Sequence, residues 1–469
     1  MHLSGDQLEA LRAVTKWHAD APEPAFDYKD AGGAGGSADK GPQKITIGFA
    51  HDYPVLSLGG YAGTGKTTVL KNVGLSIQNV RFVTPTHKAA QVLRSKLPEE
   101  MQRKVVTFHS LIYTPNPKYS CELSGLEMEA LDAECGCAAG DFCDHAPVFQ
   151  PCMRHVAGNG SGDGSQPDRE CKPVEHLTFQ KRGYLASWSS VIVVDEASML
   201  TEDEVNDIRS FGVPVLLVGD HGQLSPVKAR MNPWIEHPQL VLTVNHRQGE
   251  TSGIPSAADE AREHGVLRNA RYGSSVSCIS QGNEKVPGLL ERFRPDAKSR
   301  TVIVQYNRTR AALNSAFHEQ HGPDVINPGE RLIALQRLEG VVILDPRTGD
   351  AVGETFVLNG TMATVKRVDQ IRPRTATCVL ELDNDWKGAK GVNVLVNLST
   401  EQLGAEQKLS LDRKPRNAVL WDYAYALTCH KAQGSEFDQV IVMHEGGTDR
   451  RWLYTAVTRA KEGLIVLTA

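Results

Sequence analysis

Residues of the types that bind phosphate lie close together in the segment GYAGTGKT, residues 60–67. The segment fits the pattern G-x-x-x-x-G-K-[ST], in which glycines let backbone N–H groups turn inward around phosphate oxygens. A strand-like run, PVLSLG, precedes it and a helical run follows it, as this pattern requires. Lys66 would then reach the β- and γ-phosphates, and Thr67 would bind Mg²⁺. The residues predicted to contact a nucleotide here are Gly60, Gly63, Gly65, Lys66, Thr67 and Thr68.

Two carboxylates, Asp195 and Glu196, follow the apolar run VIVV (191–194). Ligands of open α/β sheets bind at the carboxyl ends of such buried strands. Asp195 would complete the coordination of Mg²⁺, and Glu196 would orient and deprotonate an attacking water. An Asp-Glu pair alone is a weak signal, but the phosphate-binding segment upstream strengthens it. Together the two elements predict hydrolysis of a nucleoside triphosphate.

Short buried strands that alternate with helices must position these residues, which predicts an α/β fold with parallel sheets. A first helix is predicted at 3–18 and is followed by a glycine-rich loop at 31–43. The strands predicted for a first sheet are 54–60, 80–85, 190–196 and 213–220. Those predicted for a second sheet are 300–307, 422–428, 438–444 and 463–469. Between them, residues 340–415 carry short alternating runs, which predict an inserted β-rich module.

The bulk composition is that of a soluble globular protein. The 469 residues are 40% hydrophobic and 23% charged, and the length is enough for about three domains. No window approaches about 18 uninterrupted apolar residues, and the N-terminus has no apolar signal-peptide core, so neither a membrane span nor secretion is expected. We therefore expect a cytoplasmic protein, or one in the host cytoplasm if a phage encodes it. The net charge of −5 means that any nucleic acid must bind through a local groove.

Further segments do not belong to a generic ATPase. Gln223 in GDHGQLSPV could sense the γ-phosphate, and Arg247 and Arg459 lie in LTVNHRQ and YTAVTRA. The ordered set of motifs resembles the superfamily 1 DNA helicases, in the 5′→3′ class of the RecD-like and Dda-like enzymes. The segment VLNGTMATV (357–365) also resembles that class. The motifs that carry the resemblance are GYAGTGKT, TPTHKAA, TFHSL, DEASM, GDHGQLSPV, the HRQ element, YALTCHKAQGSEFD and YTAVTRA.

The resemblance implies two RecA-like motor domains that bind ATP between them. It assigns adenine recognition to Gln7, a nucleotide contact to Gly434, and γ-phosphate contacts to Arg247 and Arg459. Taken alone, Gln7 would be interpreted as a solvent-facing helix residue, and each arginine as a partner in a surface ion pair. The implied boundaries are 1–240 for the first motor domain, interrupted by a pin region at 113–180, 241–339 with 416–469 for the second, and 340–415 for an SH3-like module.

Single-stranded DNA would cross both motor domains. Hydroxyls, backbone N–H groups and a few cations can follow phosphates without reading bases, which suits a motor that crosses any sequence. Two of the histidines, His109 and His430, could instead be packed core residues, and RNA is an alternative substrate. The residues that match the DNA-contacting elements of the family are Thr84, Pro85, Thr86, His87, Thr107, His109, Thr428, His430 and Lys431.

Six of the nine cysteines lie between Cys121 and Cys171, within the predicted pin region. Segments 110–120 and 175–184 could be the two sides of the pin hairpin. The spacing predicts a structural Zn²⁺, with an iron–sulfur cluster, unliganded thiols and disulfides as alternatives. Elemental analysis of the purified chain would decide among them. The predicted zinc ligands are Cys135, Cys137, Cys143 and Cys152.

The sequence therefore predicts an ATP- and Mg²⁺-dependent 5′→3′ DNA helicase. Its expected partners are single-stranded DNA, duplex junctions, and single-strand-binding, replication or recombination proteins, but no membrane. A translocase that displaces proteins without productive unwinding is the main alternative. A non-enzymatic subunit of a recombination complex is another alternative, although it does not explain why the predicted catalytic residues are all present.

Overall fold

The computed structural model describes two compact units. One contains Met1–Phe108 and Ser187–Ala469, and the other contains His109–Ala186. The predicted zinc ligands Cys135, Cys137, Cys143 and Cys152, the predicted loop 31–43 and Arg247 lie outside the described residues. The residues that the structure describes are 3–21, 54–121, 127–128, 130–131, 148–149, 173–183, 185, 189–226, 229–246, 253–268, 270–296, 298–384, 389–410, 414–415, 418–447 and 449–469.

Helices and strands alternate along most of the described chain. The α-helices are α1 (Gly5–Asp20), α2 (Lys66–Ser76), α3 (His87–Lys96), α4 (Glu99–Gln102), α5 (Phe108–Ile112), α6 (Glu202–Arg209), α7 (Pro233–Glu236), α8 (Ile254–His264), α9 (Val286–Phe293), α10 (Asn307–His318), α11 (Cys429–Ala432) and α12 (Arg450–Val457). The strands are β1 (Val55–Gly60), β2 (Val80–Thr84), β3 (Val105–Thr107), β4 (Tyr113–Cys121), β5 (Glu127–Met128), β6 (Ala130–Leu131), β7 (Val148–Phe149), β8 (Pro173–Lys181), β9 (Val191–Val194), β10 (Val215–Gly219), β11 (Leu240–Leu242), β12 (Arg271–Tyr272), β13 (Val276–Ser280), β14 (Arg300–Val304), β15 (Arg331–Ala334), β16 (Leu338–Leu344), β17 (Ala351–Val357), β18 (Met362–Ile371), β19 (Thr375–Leu382), β20 (Val392–Ser399), β21 (Trp421–Tyr423), β22 (Ala426–Thr428), β23 (Phe437–His444) and β24 (Ala460–Thr468).

The first sheet is parallel, in the order β11-β1-β10-β9-β2-β3. Strands β9 and β10 are buried along their whole length, as continuous apolar runs require in a sheet covered on both faces. Leu58 of β1 lies opposite Val218 of β10 on one side and Leu240 of β11 on the other, so the strand before the phosphate-binding segment is an inner strand of the sheet. Val14 of α1 and Val69 of α2 are fully buried in the core of this sheet. The strands predicted for the first sheet are confirmed.

The second sheet has the order β12-β13-β24-β23-β14-β22, and all its pairs are parallel except β12 with β13. One predicted strand is wrong, because residues 422–428 do not form a single strand. Residues 421–423 form β21 of a third sheet, and 426–428 form β22 of the second sheet. The chain changes sheets at Ala424 and Tyr425, both of which are buried. An unbroken apolar run therefore conceals the break.

The third sheet is the antiparallel β-rich insertion, in the order β17-β16-β20-β19-β18-β15-β21. It uses strands on both sides of the predicted range 340–415. A buried ion pair between Arg310 of α10 and Asp422 of β21 joins this sheet to a helix of the second one. Removal of either partner would leave a buried charge without compensation, which is strongly destabilising.

The smaller unit contains a long antiparallel pair of strands. Strand β4 pairs with β8 over nine residues, from Tyr113 opposite Lys181 to Cys121 opposite Pro173. The short strand β5 extends this sheet beside β4, and β6 pairs with β7. The two segments predicted as the sides of a hairpin, 110–120 and 175–184, thus contain paired strands.

Candidate nucleotide site and nucleic-acid contacts

The phosphate-binding segment forms the turn between β1 and α2. Gly63 and Gly65 have φ of 86° and 81°, in the left-handed region that favours glycine. A Cβ on Gly65 would lie 2.1 Å from Nε2 of Gln7, so no larger residue fits without displacing that side chain. Lys66 begins α2, and its Nζ donates to the carbonyl oxygens of Gly60 (2.7 Å) and Tyr61 (3.0 Å). The lysine is thus held over the loop at the helix N-terminus, where anions bind.

Asp195 and Glu196 lie where the chain leaves β9. The Asp195 N–H donates to the carbonyl oxygen of Val83 in β2 (2.9 Å), which fixes the carboxylate at the edge of the sheet. Burial, and then the neighbouring charge of Glu196, raises the pKa of Asp195 to about 7. Glu196 has φ of 54°, an uncommon conformation for a residue with a side chain. Its Oε2 is buried and has no hydrogen-bond partner among the described residues.

Gln223 lies in the loop that follows β10. Its Nε2 donates to Oδ2 of Asp220 (3.3 Å), a carboxylate that is fully buried. Its Oε1 is buried and finds no partner in the described part of the chain. The side chain therefore has one end fixed and one oxygen available to a ligand.

The second sheet contributes Arg459, in the sequence between α12 and β24. The guanidinium is almost wholly buried and donates three hydrogen bonds to residues that flank the second sheet. Nε donates to the Thr455 carbonyl (3.0 Å), Nη1 to the Ser435 carbonyl (3.3 Å), and Nη2 to Thr458 Oγ1 (3.1 Å). Because a guanidinium has five N–H groups, two remain for a ligand.

A cleft of about 340 Å³ brings these residues together. It lies between the phosphate-binding turn and the residues of the second sheet, and its volume is in the range of sites for small ligands. Gly60 and Gln7 are not among the residues that line it. The residues lining it that the sequence predicted are Gly63, Gly65, Lys66, Thr67, Thr68, Asp195, Glu196, Gln223, Gly434 and Arg459.

Sequence reasoning missed His246, which also lines the cleft. Its backbone N–H donates to the Gly63 carbonyl (2.8 Å), and its Nε2 lies 3.1 Å from Ser4 Oγ. Its position directly before Arg247 in LTVNHRQ is the signal that could have identified it. Gln7 is buried, and its Nε2 donates to the Thr64 carbonyl (3.1 Å), so its amide contacts the phosphate-binding turn.

The donor set fits ATP and Mg²⁺. Lys66 of α2 and Arg459 beside the second sheet supply cations to the cleft, and Thr67 and Asp195 supply the oxygen ligands that Mg²⁺ prefers. The unpartnered oxygens of Glu196 and Gln223 are of the type that would hold a water near a phosphate.

The residues predicted to contact DNA in the first sheet lie at the carboxyl ends of two neighbouring strands. Thr84 ends β2 and pairs with Thr107 at the end of β3. Both are buried, and Thr84 Oγ1 donates to the Thr86 carbonyl (3.0 Å). Thr86 caps α3, because its Oγ1 accepts from the Ala89 N–H (3.1 Å). Pro85 and His87, on either side of Thr86, are half-buried.

In the second sheet, Thr428 ends β22 opposite Val304 of β14, and His430 and Lys431 follow in α11. His430 and Lys431 are exposed, as is His109 in the smaller unit, whose ring centroid lies 5.5 Å from that of Tyr113. Exposure argues against the alternative that these histidines are core residues.

Cys278, Cys378 and Cys429 are free thiols, and the last two are buried, as expected for packing residues. No group of three or more histidine, cysteine, aspartate or glutamate side chains in the described ranges is arranged to hold a metal ion. None of the helices described has the length and apolar composition needed to cross a lipid bilayer.

Two protein families match the chain. The family described as "AAA domain" matches residues 48–281, which include the phosphate-binding segment and Asp195. The family described as "UvrD-like helicase C-terminal domain" matches residues 423–467, which include Lys431 and Arg459.

Curated relatives are similar to more than half of the chain. The ATP-dependent RecD2 DNA helicase of Deinococcus radiodurans is 27% identical over 302 residues, which are 58% of this chain and 35% of that protein. The conjugal transfer protein TraA of Agrobacterium fabrum is 27% identical over 293 residues, which are 59% of this chain and 24% of that one. The chain thus spans about a third or less of the length of these relatives.

Solved structures of Pif1 helicases cover nearly the whole chain. A Bacteroides Pif1 helicase in complex with ADP-AlF3 and single-stranded DNA has a TM-score of 0.46 and 15% identity, over 99% of this chain and 92% of that one. The Pif1 helicase of Candida albicans has a TM-score of 0.42 and 13% identity, over 100% of this chain and 94% of that one.

Proposed function

Because this chain belongs to the superfamily 1 helicases, in the RecD-like 5′→3′ class, we propose that it unwinds duplex DNA while translocating 5′→3′ on single-stranded DNA, driven by ATP hydrolysis. The observation that carries the proposal is the composition of the cleft. Residues of the first sheet and residues of the second sheet line one cavity, so a bound nucleotide would contact both. Hydrolysis would then change the contacts that join the two sheets through the nucleotide. The cleft would open and close with each cycle, and this motion would move the protein along the DNA strand.

We assign the chemistry to residues on both walls. Lys66 and the N–H groups of the turn hold the β- and γ-phosphates, and Thr67 and Asp195 hold Mg²⁺. When bound, the metal neutralises charge on the phosphate oxygens. Glu196 accepts a proton from the attacking water, and Gln223 orients that water. Arg459, with Arg247 from the motif after β11, stabilises charge that develops on the transferred phosphoryl group.

We place single-stranded DNA along the carboxyl edges of the two parallel sheets. The first sheet would use Thr86 and its half-buried neighbours Pro85 and His87, because Thr84 and Thr107 are buried and would support these contacts from below. The second would use Thr428 and Lys431. Helix N-termini and hydroxyls at strand ends bind phosphates without reading bases. The β4–β8 pair would act as the pin that separates the strands, and the antiparallel sheet as the SH3-like module. The domain boundaries given above stay predictions.

We expect DNA affinity to depend on pH because of Lys431. Although part of the Lys431 side chain is exposed, the surrounding protein shields its ammonium from water. This desolvation, and then the nearby guanidinium of Arg310, lowers the pKa of Lys431 to about 8, with Lys408 acting in the same direction and Asp422 opposing them. The ammonium is charged below this pKa and neutral above it. Affinity should therefore be constant up to about pH 8 and then fall by up to about tenfold per pH unit.

Fluorescence anisotropy of a labelled oligo-dT at constant ionic strength, from about pH 7 to pH 9.5, measures this dependence. A Lys431→Arg variant should show almost none of it, because a guanidinium keeps its charge throughout this range. An equally steep decline in that variant would assign the titration to another group.

We expect the protein to unwind a partial duplex with a 5′ single-stranded tail and to leave one with a 3′ tail intact. The polarity comes from the family, so the two substrates should have the same duplex and tail lengths. Release of the labelled strand is measured with ATP and with a non-hydrolysable analogue. Unwinding from the 3′ tail alone would refute the polarity. DNA-stimulated ATPase activity without any unwinding would favour a translocase that displaces proteins.

Two finer assignments rest on sequence alone. Structural Zn²⁺ on Cys135, Cys137, Cys143 and Cys152 is a hypothesis from their spacing, to which the similar families and relatives lend no support. Metal analysis of the purified chain would test it, and absence of zinc would refute it.

A motor that uses ATP and DNA works inside the cell, which supports the predicted cytoplasmic location.

A further inference from the structure

The last helix associated with the second sheet, α12, contacts the loop that follows β10 of the first sheet. The Leu224 N–H of that loop donates to Thr455 Oγ1 (2.9 Å). Arg451 Nη1 donates to Ser225 Oγ (3.1 Å). Gln223 belongs to the same loop, so α12 is attached to the segment that carries it.

Tyr454 makes the contact of α12 that comes nearest to the nucleotide site. Its hydroxyl accepts from the Ala62 N–H in the phosphate-binding turn (2.9 Å) and donates to Asp220 Oδ2 (2.8 Å). The ring is almost completely buried. Burial raises the pKa of Tyr454 well above its usual value, so the hydroxyl keeps the proton that it donates. A single oxygen thus joins the second sheet to two loops of the first.

Asp220 links Tyr454 to Gln223 through hydrogen bonds to both side chains. One carboxylate oxygen accepts from the Gly222 N–H (2.9 Å), and the other accepts from both Tyr454 and Gln223 Nε2. This arrangement fixes the orientation of the amide, since only its nitrogen can donate to a carboxylate. Gln223 Oε1 is consequently the amide atom that can accept a hydrogen bond from a ligand in the cleft. A Cβ on Gly222 would lie 3.0 Å from the Tyr454 ring, so glycine permits the close approach.

A second contact from the same side supports the phosphate-binding turn. The guanidinium of Arg262 in α8 lies 3.9 Å from the ring centroid of Tyr61, which directly precedes Ala62. The Tyr61 ring also packs edge-on against Tyr454, with centroids 6.0 Å apart. Cation–π contacts of this kind are attractive and directional. Two side chains of the second domain thus hold adjacent residues of the turn.

We propose that Tyr454 is a positioning residue for ATP hydrolysis. Through Asp220 its hydroxyl directs the Gln223 carbonyl oxygen toward the attacking water, and through Ala62 it holds the phosphate-binding turn in place. The inference rests on the proposed function and adds a second link from α12 to the reaction, separate from Arg459. Arg459 would stabilise charge on the phosphate, whereas Tyr454 would order the groups on the opposite wall.

Replacement of Tyr454 by phenylalanine tests the role of the hydroxyl while keeping the ring. Asp220 would lose its donor from α12, the Ala62 N–H would lose its acceptor, and the Gln223 amide could rotate. We expect kcat with saturating single-stranded DNA to fall about tenfold, while KM for ATP stays within about threefold of wild type. Asp220→Asn should likewise lower kcat and leave the KM for ATP nearly unchanged, because an amide nitrogen facing Gln223 cannot accept its hydrogen bond.

The matched control is Tyr423→Phe, which also removes a buried hydroxyl, one that donates to the Val325 carbonyl (2.6 Å) in another part of the fold. It should keep wild-type kcat even if its melting temperature falls. The double variant Tyr454→Phe with Gln223→Ala should lose clearly less than the product of the two single losses, since the route through Asp220 acts on Gln223 and only the Ala62 contact acts apart from it.

The outcomes separate the inference from the function on which it rests. A wild-type protein without DNA-stimulated ATPase activity would refute the proposed function. An active wild type in which both Tyr454→Phe and Asp220→Asn keep kcat within about twofold would overturn the role of Tyr454 alone. Fully additive effects of Tyr454→Phe and Gln223→Ala would also overturn it.

Discussion

The Lys66→Ala and Glu196→Gln variants should lose ATP turnover by at least about a hundredfold, and they should differ in nucleotide binding. Lys66 is the cation at the N-terminus of α2, where its Nζ lies over the phosphate-binding turn. Without it, the β- and γ-phosphates lose a direct charge contact. The alanine variant should therefore bind ATP weakly as well as fail to hydrolyse it.

Glu196 should affect only the chemical step. Its backbone lies in the left-handed region, and its Oε2 is buried without a partner in the described structure. Such a conformation costs free energy, and it persists where function requires it. An uncompensated buried carboxylate oxygen beside a phosphate site suits a group that takes a proton from water. Glutamine keeps the shape but is not a base, so ATP should bind and remain intact.

Steady-state ATPase assays and the fluorescence of a labelled ATP analogue measure the two effects separately. The matched controls are Lys71→Ala, on the same helix, and Glu202→Gln, on the helix after the Asp-Glu pair. Both residues are exposed and outside the cleft, so both variants should behave as wild type. Turnover within about tenfold of wild type in either Lys66→Ala or Glu196→Gln would contradict the assigned role.

The predicted site residues that the structure brings together in the cleft are mostly those whose sequence signal is local. The phosphate-binding turn and the Asp-Glu pair each lie within a few positions of a strand end, so strand pattern and motif together place them. Their meeting in one cleft follows from the parallel sheet, whose strands present their carboxyl ends at one edge. Arg459 required the family resemblance, because nothing near it in sequence indicates a phosphate.

Contacts between distant residues could not be predicted. Tyr454 and Asp220 are separated by 234 positions, and no local pattern relates a tyrosine in one motif to an aspartate in another. The strand predicted at 422–428 failed for a related reason. Its apolar run is buried on both sides of Ala424, so burial pattern alone cannot indicate that the chain passes from one sheet to the next.

Arg459→Ala should lower kcat about a thousandfold with little change in ATP affinity, since arginines that reach a transferred phosphoryl group are worth about 10³–10⁵ in rate. The structure gives a reason why kcat should fall while the affinity for ATP stays nearly the same. Three hydrogen bonds to Thr455, Ser435 and Thr458 hold the guanidinium at the cleft wall, so it is ordered before a nucleotide arrives. Its remaining N–H groups would meet charge that becomes largest in the transition state.

Single-turnover hydrolysis with saturating DNA isolates the chemical step, and titration with a labelled nucleotide gives the affinity. Arg374→Ala is the control, because Arg374 lies outside the cleft and forms an exposed ion pair with Glu401, and such pairs contribute little. Arg459→Lys should recover only part of the rate, since an ammonium cannot make the planar contacts of a guanidinium. A loss confined to ATP affinity, with the chemical rate unchanged, would mean that Arg459 holds the ground state and does not couple the second sheet to hydrolysis.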